Sequence, residues 1–255
     1  MIKIFMNGCC GAMGRVIGAI VKHSEEYTIV AGGDIIVPEE PLGFPVYTSL
    51  NECEEDFDVI IDFSNVKAVP AIIQFAVAKN KPLVLCTTGL DEECLSLFVE
   101  ASHKIPVFRS ANMSYGMNVL FELVKQATRI LYPDYEIEIV EAHHRRKLDA
   151  PSGTAYMIAD IINEETNNEL EYVFDRHSEM KSRGHKELGI SSIRGGNIVG
   201  EHEVYFIGEE EILKISHSAQ KRDVFGRGAL TAAKFLVGKP AGCYSMQDVV
   251  ASLIG

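Results

Sequence analysis

The chain has 255 residues, 47% of them hydrophobic and 24% charged, and its formal net charge is −12. That composition belongs to a globular protein with length for one large domain or two small ones, and the acidic surplus argues against a nucleic-acid partner. No apolar run approaches the ~20 residues that cross a bilayer, so no membrane partner is expected.

Residues 2–6 open the chain as a short apolar run without the basic flank and long apolar stretch of an export signal, and they read as a first strand. The six cysteines, Cys9, Cys10, Cys53, Cys86, Cys94 and Cys243, form no CxxC pair. Reduced thiols and a cytoplasmic location are the expectation.

Further strands are predicted over residues 27–32, 58–63, 82–86 and 106–110, and amphipathic helices over 13–23, 66–78 and 92–102. Strand and helix alternate, so the expected fold is α/β: a Rossmann-like doubly wound parallel sheet. After Ser110 the rhythm changes. A long helix is predicted over 115–131, a half-buried strand over 136–141, and a helix from about Ala155. Residues 164–189 are polar and read as loop-rich, and strands follow over 191–194, 203–207 and 212–216. This run of strands predicts a central α+β domain with a mixed or antiparallel sheet. A last helix over 225–237 returns to the first domain. The expected division is therefore 1–112 with 220–255 for the first domain, and 113–219 for the second. Hinges are expected near 110–114 and 218–222, closing the two domains on each other.

Gly8-Cys9-Cys10-Gly11-Ala12-Met13-Gly14 follows the first strand and opens a helix. Glycines there let the chain turn sharply, approach a pyrophosphate and pack helix against strand, and the helix start offers N–H groups to phosphate. The spacing is GxxGxxG instead of the usual GxGxxG. Asp34 lies about 20 residues beyond Gly14, at the end of the second strand, where a carboxylate can accept from ribose hydroxyls. A carboxylate repels a 2′-phosphate, and Ile35 follows in place of a cation, so NADH is favoured over NADPH. Arg15 leaves NADPH open. The tandem Cys9-Cys10 could mark redox or metal chemistry. The plainer reading is small residues in a tight turn, and no metal is expected.

Basic residues gather in two places in this acidic chain: His143, His144, Arg145, Arg146 and Lys147, then Lys221, Arg222 and Arg227. A small anionic substrate would explain them, and so would a solvated loop. Pro151 ends the preceding structure, and Ser152-Gly153-Thr154 can present hydroxyl and backbone donors to a carboxylate. His143, His144 and Lys147 are candidates for proton transfer or hydrogen bonding. No further ligand falls at metal-binding spacing around the paired histidines.

Glu141 to Thr154 resembles the signature E-x-H-H-x-x-K-x-D-x-P-S-G-T of the 4-hydroxy-tetrahydrodipicolinate reductase family, also called dihydrodipicolinate reductase. The resemblance extends over essentially the whole chain. It includes the loop Gly8 to Arg15, Thr87-Thr88-Gly89, Ser192 to Gly196 and Val199 to His202. It implies reduction of dihydrodipicolinate to tetrahydrodipicolinate on the diaminopimelate/lysine route by a homotetramer, with 1–112 and 220–255 as the dinucleotide-binding domain and 113–219 as the substrate-binding and oligomerisation domain. It implies cofactor contacts at Gly8, Cys9, Cys10, Gly11, Ala12, Met13, Asp34, Phe63, Cys86, Thr87, Thr88, Ser110, Ala111, Asn112 and Met113. His143 and Lys147 would be the catalytic pair. His144, Lys147, Gly153, Thr154 and Arg222 would bind the dicarboxylate. Two alternatives share the glycine turn: another NAD-dependent amino-acid or sugar dehydrogenase, and a non-catalytic NAD(H) sensor. The first would lack the Glu141–Thr154 string and the second would show an eroded acid/base pair.

Overall fold

The computed structural model describes residues 1–110, 112–178 and 180–254. They form two compact units. Met1–Tyr115 and Arg222–Gly255 make the first, and Gly116–Lys221 the second.

The first unit contains β1 (Ile2–Asn7), α1 (Ala12–Val21), β2 (Tyr27–Gly33), β3 (Val46–Tyr47), β4 (Val59–Asp62), α2 (Val69–Lys79), β5 (Leu83–Leu85), α3 (Glu92–Ser102) and β6 (Pro106–Arg109). The returning segment adds α6 (Asp223–Leu236), β12 (Gly242–Tyr244) and α7 (Met246–Ile254). Its seven strands run in the order β12-β6-β5-β4-β1-β2-β3, and every pairing is parallel.

A parallel sheet is covered on both faces, so its strands are apolar throughout, and the two-residue period sorts side chains between the layers. Ile4 and Met6 of β1, Val59 and Ile61 of β4, and Val84 of β5 pack in one core with Ala229, Leu230, Ala233 and Leu236 of α6. Phe5, Ile60, Leu83 and Leu85 point to the opposite core, built on α2 and α3. Burying each Ile, Leu or Phe contributes about 1.5–3 kcal/mol. The chain leaves β1 toward β2 on one side, and β4, β5 and β6 extend the other. The switch point lies between β1 and β4.

The second unit contains α4 (Tyr115–Leu131, whose first residue belongs to the first unit), β7 (Glu136–His143), α5 (Gly153–Glu165), β8 (Glu171–Val173), β9 (Glu187–Arg194), β10 (Gly200–Ile207) and β11 (Ile212–Ala219). Its five strands run β11-β10-β7-β9-β8. The β10 pairings are antiparallel, and the β9 pairings with β7 and β8 are parallel. The sheet is therefore mixed. Ile137, Ile139, Leu188, Ile190, Val204 and Phe206 face one layer made by α4 and α5.

Three expectations need correction, and one short strand has no counterpart among them. The stretch 164–189 is not simply loop, because β8 and the start of β9 pair within it, Glu171 opposite Glu187. The strand predicted to end at Glu141 runs on to His143, since Ala142 and His143 pair with Ile193 and Arg194. His143 is thus the last residue of a strand. The helix ending at Leu236 is not the last. β12 joins the sheet edge beside β6, and α7 buries Met246, Val249 and Val250. Ser245 caps that helix against the Asp248 carboxylate, at 2.7 Å from its N–H and 2.8 Å from its hydroxyl. The two-residue strand β3 was also missed, being too short to carry a pattern.

Candidate active site

The glycine turn sits at the carboxyl end of β1. Gly8 has φ +77°, and a Cβ there would lie 2.4 Å from the Phe63 carbonyl oxygen. A Cβ at Gly14 would lie 2.4 Å from the Gly8 oxygen. Both positions therefore exclude a side chain, one for the turn and one for close packing of helix on strand. Gly11 precedes α1 without capping it through a side chain, so the N–H groups of Ala12 and Met13 start the helix as donors available to an anion.

Asp34 closes the turn from the end of β2. Its carboxylate accepts from the Cys10 N–H at 2.9 Å and the Ile36 N–H at 3.2 Å. Each oxygen retains a lone pair for a ribose hydroxyl. Arg15 donates through Nε to the Cys10 oxygen at 3.1 Å. Gly8, Cys10, Gly11, Asp34 and Phe63 line one cavity of about 400 Å³. A larger cavity of about 710 Å³ runs along α1 and β2 past Lys22 and Tyr27. Of the candidate cofactor residues only Cys9 lines it, and the smaller cavity is the one with the phosphate and ribose chemistry. Cys9 turns away from that smaller cavity, toward Gly32, where an added Cβ would meet its Sγ at 2.7 Å.

This cradle fits a dinucleotide: bare backbone at the turn, a helix start for phosphate, a carboxylate for ribose. Gly8→Ala is expected to weaken NADH binding at least about tenfold in a fluorescence titration. Unchanged affinity would place the cofactor elsewhere.

Sequence reading missed Asp62. It is fully buried at the end of β4, beside the switch point. It accepts from Asn7 Nδ2 at 2.7 Å, Ser64 Oγ at 2.6 Å and Thr87 Oγ1 at 2.5 Å. Burial pushes its carboxyl upward against the pull of these three bonds. The ends of β1, β4 and β5 are thus tied to one carboxylate, and the Thr87 hydroxyl is engaged there.

Cys86 is buried, with its thiol raised well above the usual range by desolvation. Thr88 is exposed before Gly89 at φ +73°. Ser110 donates to the Asn112 oxygen at 2.8 Å, and Asn112 Oδ1 accepts from the Ser114 N–H at 2.8 Å. Met113 is buried in the core of the first unit. Ala111 lies outside the described residues. Arg222 precedes α6 and belongs to the first unit.

In the second unit the chemistry is organised by Glu141, on β7 and fully buried. Its Oε2 meets His143 Nδ1 at 2.5 Å, and its Oε1 accepts the Ser152 N–H at 3.1 Å. Arg194 grips both oxygens, at 2.8 and 2.6 Å. Burial opposes ionisation, but hydrogen bonds from His143, Arg194 and Ser192 outweigh it and hold this carboxyl far below the usual range. A charged acceptor at Nδ1 sets the tautomer of His143 and leaves Nε2 for other work. A Cβ at Gly200 would stand 3.1 Å from that Nε2, so the glycine makes room for the ring.

His202 packs edge-on to His143 with centroids 5.3 Å apart, and its Nε2 lies 3.1 Å from Ser152 Oγ. Burial, then the neighbouring His143, pushes its pKa down to about 4. His202 is therefore neutral near pH 7. Ser152 caps α5, its Oγ accepting the Ala155 N–H at 3.2 Å. Both its N–H and its hydroxyl are spent within the fold, so the expectation of a ligand-binding Ser152 is corrected. Gly153 is exposed, and a Cβ there would meet nothing within 4 Å.

The basic segment after His143 is a tethered turn. Gly195 N–H reaches the His143 oxygen at 2.9 Å, Arg145 N–H the Gly196 oxygen at 3.3 Å, and Arg194 the Asp149 oxygen at 2.7 Å. Lys147 pairs with Asp149 at 2.8 Å, and that hydrogen bond lowers the Asp149 carboxyl. His144 keeps a buried Nδ1 with no hydrogen-bond partner among the described residues. Sequence reading assigned no role to Glu141, Arg194 or His202. The contacts join positions 53 and 50 residues apart, and only a polar residue on a strand face hinted at them.

A glycine turn at the switch point of a parallel sheet, with a separate mixed-sheet unit carrying histidine and lysine, defines a Rossmann-type oxidoreductase. The family descriptions that match are "Dihydrodipicolinate reductase, N-terminus" over residues 2–113 and "Dihydrodipicolinate reductase, C-terminus" over residues 116–250. The chain belongs to the dihydrodipicolinate reductase family. It is 51% identical over 250 residues to the 4-hydroxy-tetrahydrodipicolinate reductase of Caldanaerobacter subterraneus subsp. tengcongensis, covering 98% of both chains. It is 45% identical to that of Brachyspira hyodysenteriae, covering 98% of this chain and 100% of the other. A solved dipicolinate-bound dihydrodipicolinate reductase from Paenisporosarcina sp. TG-14 shares the fold, with a TM-score of 0.79 at 22% identity, covering 96% of this chain and 97% of the other.

Proposed function

We propose that the chain reduces dihydrodipicolinate (4-hydroxy-tetrahydrodipicolinate) to tetrahydrodipicolinate in diaminopimelate and lysine biosynthesis, with NADH favoured over NADPH. The observation that carries this reading is the Glu141 network, which fixes His143 at a strand end beside the Lys147 turn and the start of α5.

A bound reduced nicotinamide would supply the hydride. The chain's own groups receive a small ring with two carboxylates. The first-turn amides at Gly153 and Thr154 and the His144 ring take a carboxylate, as a helix start does. The cations of the turn draw a dianion to an otherwise acidic protein. As the ring is reduced, negative charge develops on its nitrogen side, where Lys147 stabilises it. Lys147 or His143 delivers the proton, directly or through water. Asp34 sets cofactor choice, because its carboxylate would repel a 2′-phosphate and Ile35 offers no cation. The same reading takes the protein as a homotetramer, and exposed Ile193, Ile212 and Leu213 in the second unit support it.

The test follows loss of reduced-nicotinamide absorbance with NADH and NADPH in parallel, the substrate being made in situ from pyruvate and aspartate semialdehyde by the preceding synthase. Substrate-dependent oxidation, faster at low cofactor with NADH, is expected. Equal affinity for the two cofactors would overturn the Asp34 argument. Tight NADH binding without oxidation would point to another dehydrogenase or a sensor.

A further inference from the structure

The thiols of the tandem cysteines in the glycine turn carry no step of the hydride transfer. Their sulfurs lie 3.9 Å apart. Together with one Asp34 oxygen, all three ligand atoms fall within 4.8 Å of one another. A tetrahedral zinc-class ion with metal–sulfur bonds of about 2.3 Å needs a sulfur–sulfur edge of about 3.8 Å and a sulfur–oxygen edge of about 3.5 Å. The thiol pair already stands near the first distance, and the carboxylate oxygen, within 4.8 Å of both sulfurs, closes by at most about 1.3 Å to reach the second.

We propose that Cys9, Cys10 and Asp34 form a site for a thiophilic divalent cation of the zinc class, overlapping the dinucleotide site so that cation and cofactor exclude each other. Two thiolates and a carboxylate supply three ligands and leave a fourth position to water. The Cys10 sulfur lies 3.4 Å from the Ile36 oxygen and is partly exposed, so the ion enters from that side. Cys9 is buried beneath it. Binding replaces the two thiol protons, which leave to solvent, with one metal ion. Arg15, held on the Cys10 oxygen, offsets the remaining negative charge. Exclusion follows because the Asp34 carboxylate that would bind ribose becomes a ligand. That second half rests on the dinucleotide reading above, and the first half does not.

The experiment uses the reduced, metal-free full chain titrated with Co²⁺ as a spectroscopic stand-in for zinc. One ion per chain is expected, with a thiolate-to-cobalt charge-transfer band. Cys10→Ser should lose that band while keeping the far-ultraviolet circular dichroism of the parent. Should Cys9→Ser fail to fold, Cys10→Ser still decides. NADH should bleach the band, and saturating Co²⁺ should raise the apparent Kd for NADH by about tenfold or more. Absence of a thiolate band in the parent chain, or a band unchanged in Cys10→Ser, overturns the site. A band that persists while NADH demonstrably binds overturns the exclusion. Failure of NADH to bind the metal-free chain would count against the dinucleotide reading and not against the cation site.

Discussion

Replacing Lys147 with alanine is expected to lower turnover by a factor on the order of 10²–10⁴, the usual contribution of a positioned general acid, while leaving NADH affinity within about twofold. Lys147 is partly buried, and its ammonium is paired with the more exposed Asp149 carboxylate. An ammonium has three donors, so one bond to Asp149 leaves two for a substrate. The truncation removes the charge and those donors together. It should also raise the substrate KM, because a dianion loses one of its cations. His143→Ala should produce a comparable fall by a different route, since the ring's Nδ1 is fixed on Glu141 and only the Nε2 end can act. Steady-state rates with both variants, beside a fluorescence titration of NADH, check the expectation. Unchanged turnover in both would remove the basic turn from the chemistry.

Glu141→Gln is expected to cost about 3 kcal/mol of stability, read as a lower urea midpoint, and to reduce kcat as well. Glu141 has no exposed surface, and Arg194 is largely covered by the same fold. Glutamine keeps the shape but turns one acceptor into a donor. It then faces Arg194, His143 or the Ser152 N–H with the wrong polarity. Removing one partner of a buried pair leaves the other uncompensated, which is why the loss exceeds that of a surface ion pair. Combining Glu141→Gln with Arg194→Met should cost less than the sum of the two single changes.

The pH dependence has a definite sign. The folded carboxyl is held below its unfolded value of about 4.3, so its contribution is complete above that pH. It fades as pH falls toward the lower folded value. In the glutamine variant this part of the acid sensitivity should disappear.

The nucleotide-binding unit was the more legible in sequence, because strands buried on both faces become short apolar runs and glycines mark the turn at Gly8. The helix predicted over 115–131 matches Tyr115–Leu131, since Tyr132-Pro133 stops it sharply. Strands β8 and the first half of β9 stayed hidden because charged residues punctuate them: Glu171, Glu187 and the neighbouring Lys186. The capping pair Ser245 and Asp248 could have revealed α7, but the helix is short and lies beyond a Gly-Pro-rich break. The candidate chemistry was legible as residue types at His143, His144 and Lys147. Its support was not. Glu141, Arg194, Ser152 and His202 come from four separate elements or their edges, and their pairing depends on the parallel β7–β9 and antiparallel β7–β10 register.

The return of the chain after Lys221 has a consequence for biogenesis. Residues 1–115 leave the ribosome first, yet one of their two hydrophobic layers is completed by α6, more than a hundred residues later. Until then Ile4, Met6, Ile61 and Val84 share that layer only with α1 and lack α6, and the edge at β6 awaits β12. The second unit is continuous in the chain and can finish folding while the first is still open. The nascent first unit thus keeps apolar surface open longest, and truncation before α6 would leave that layer incomplete.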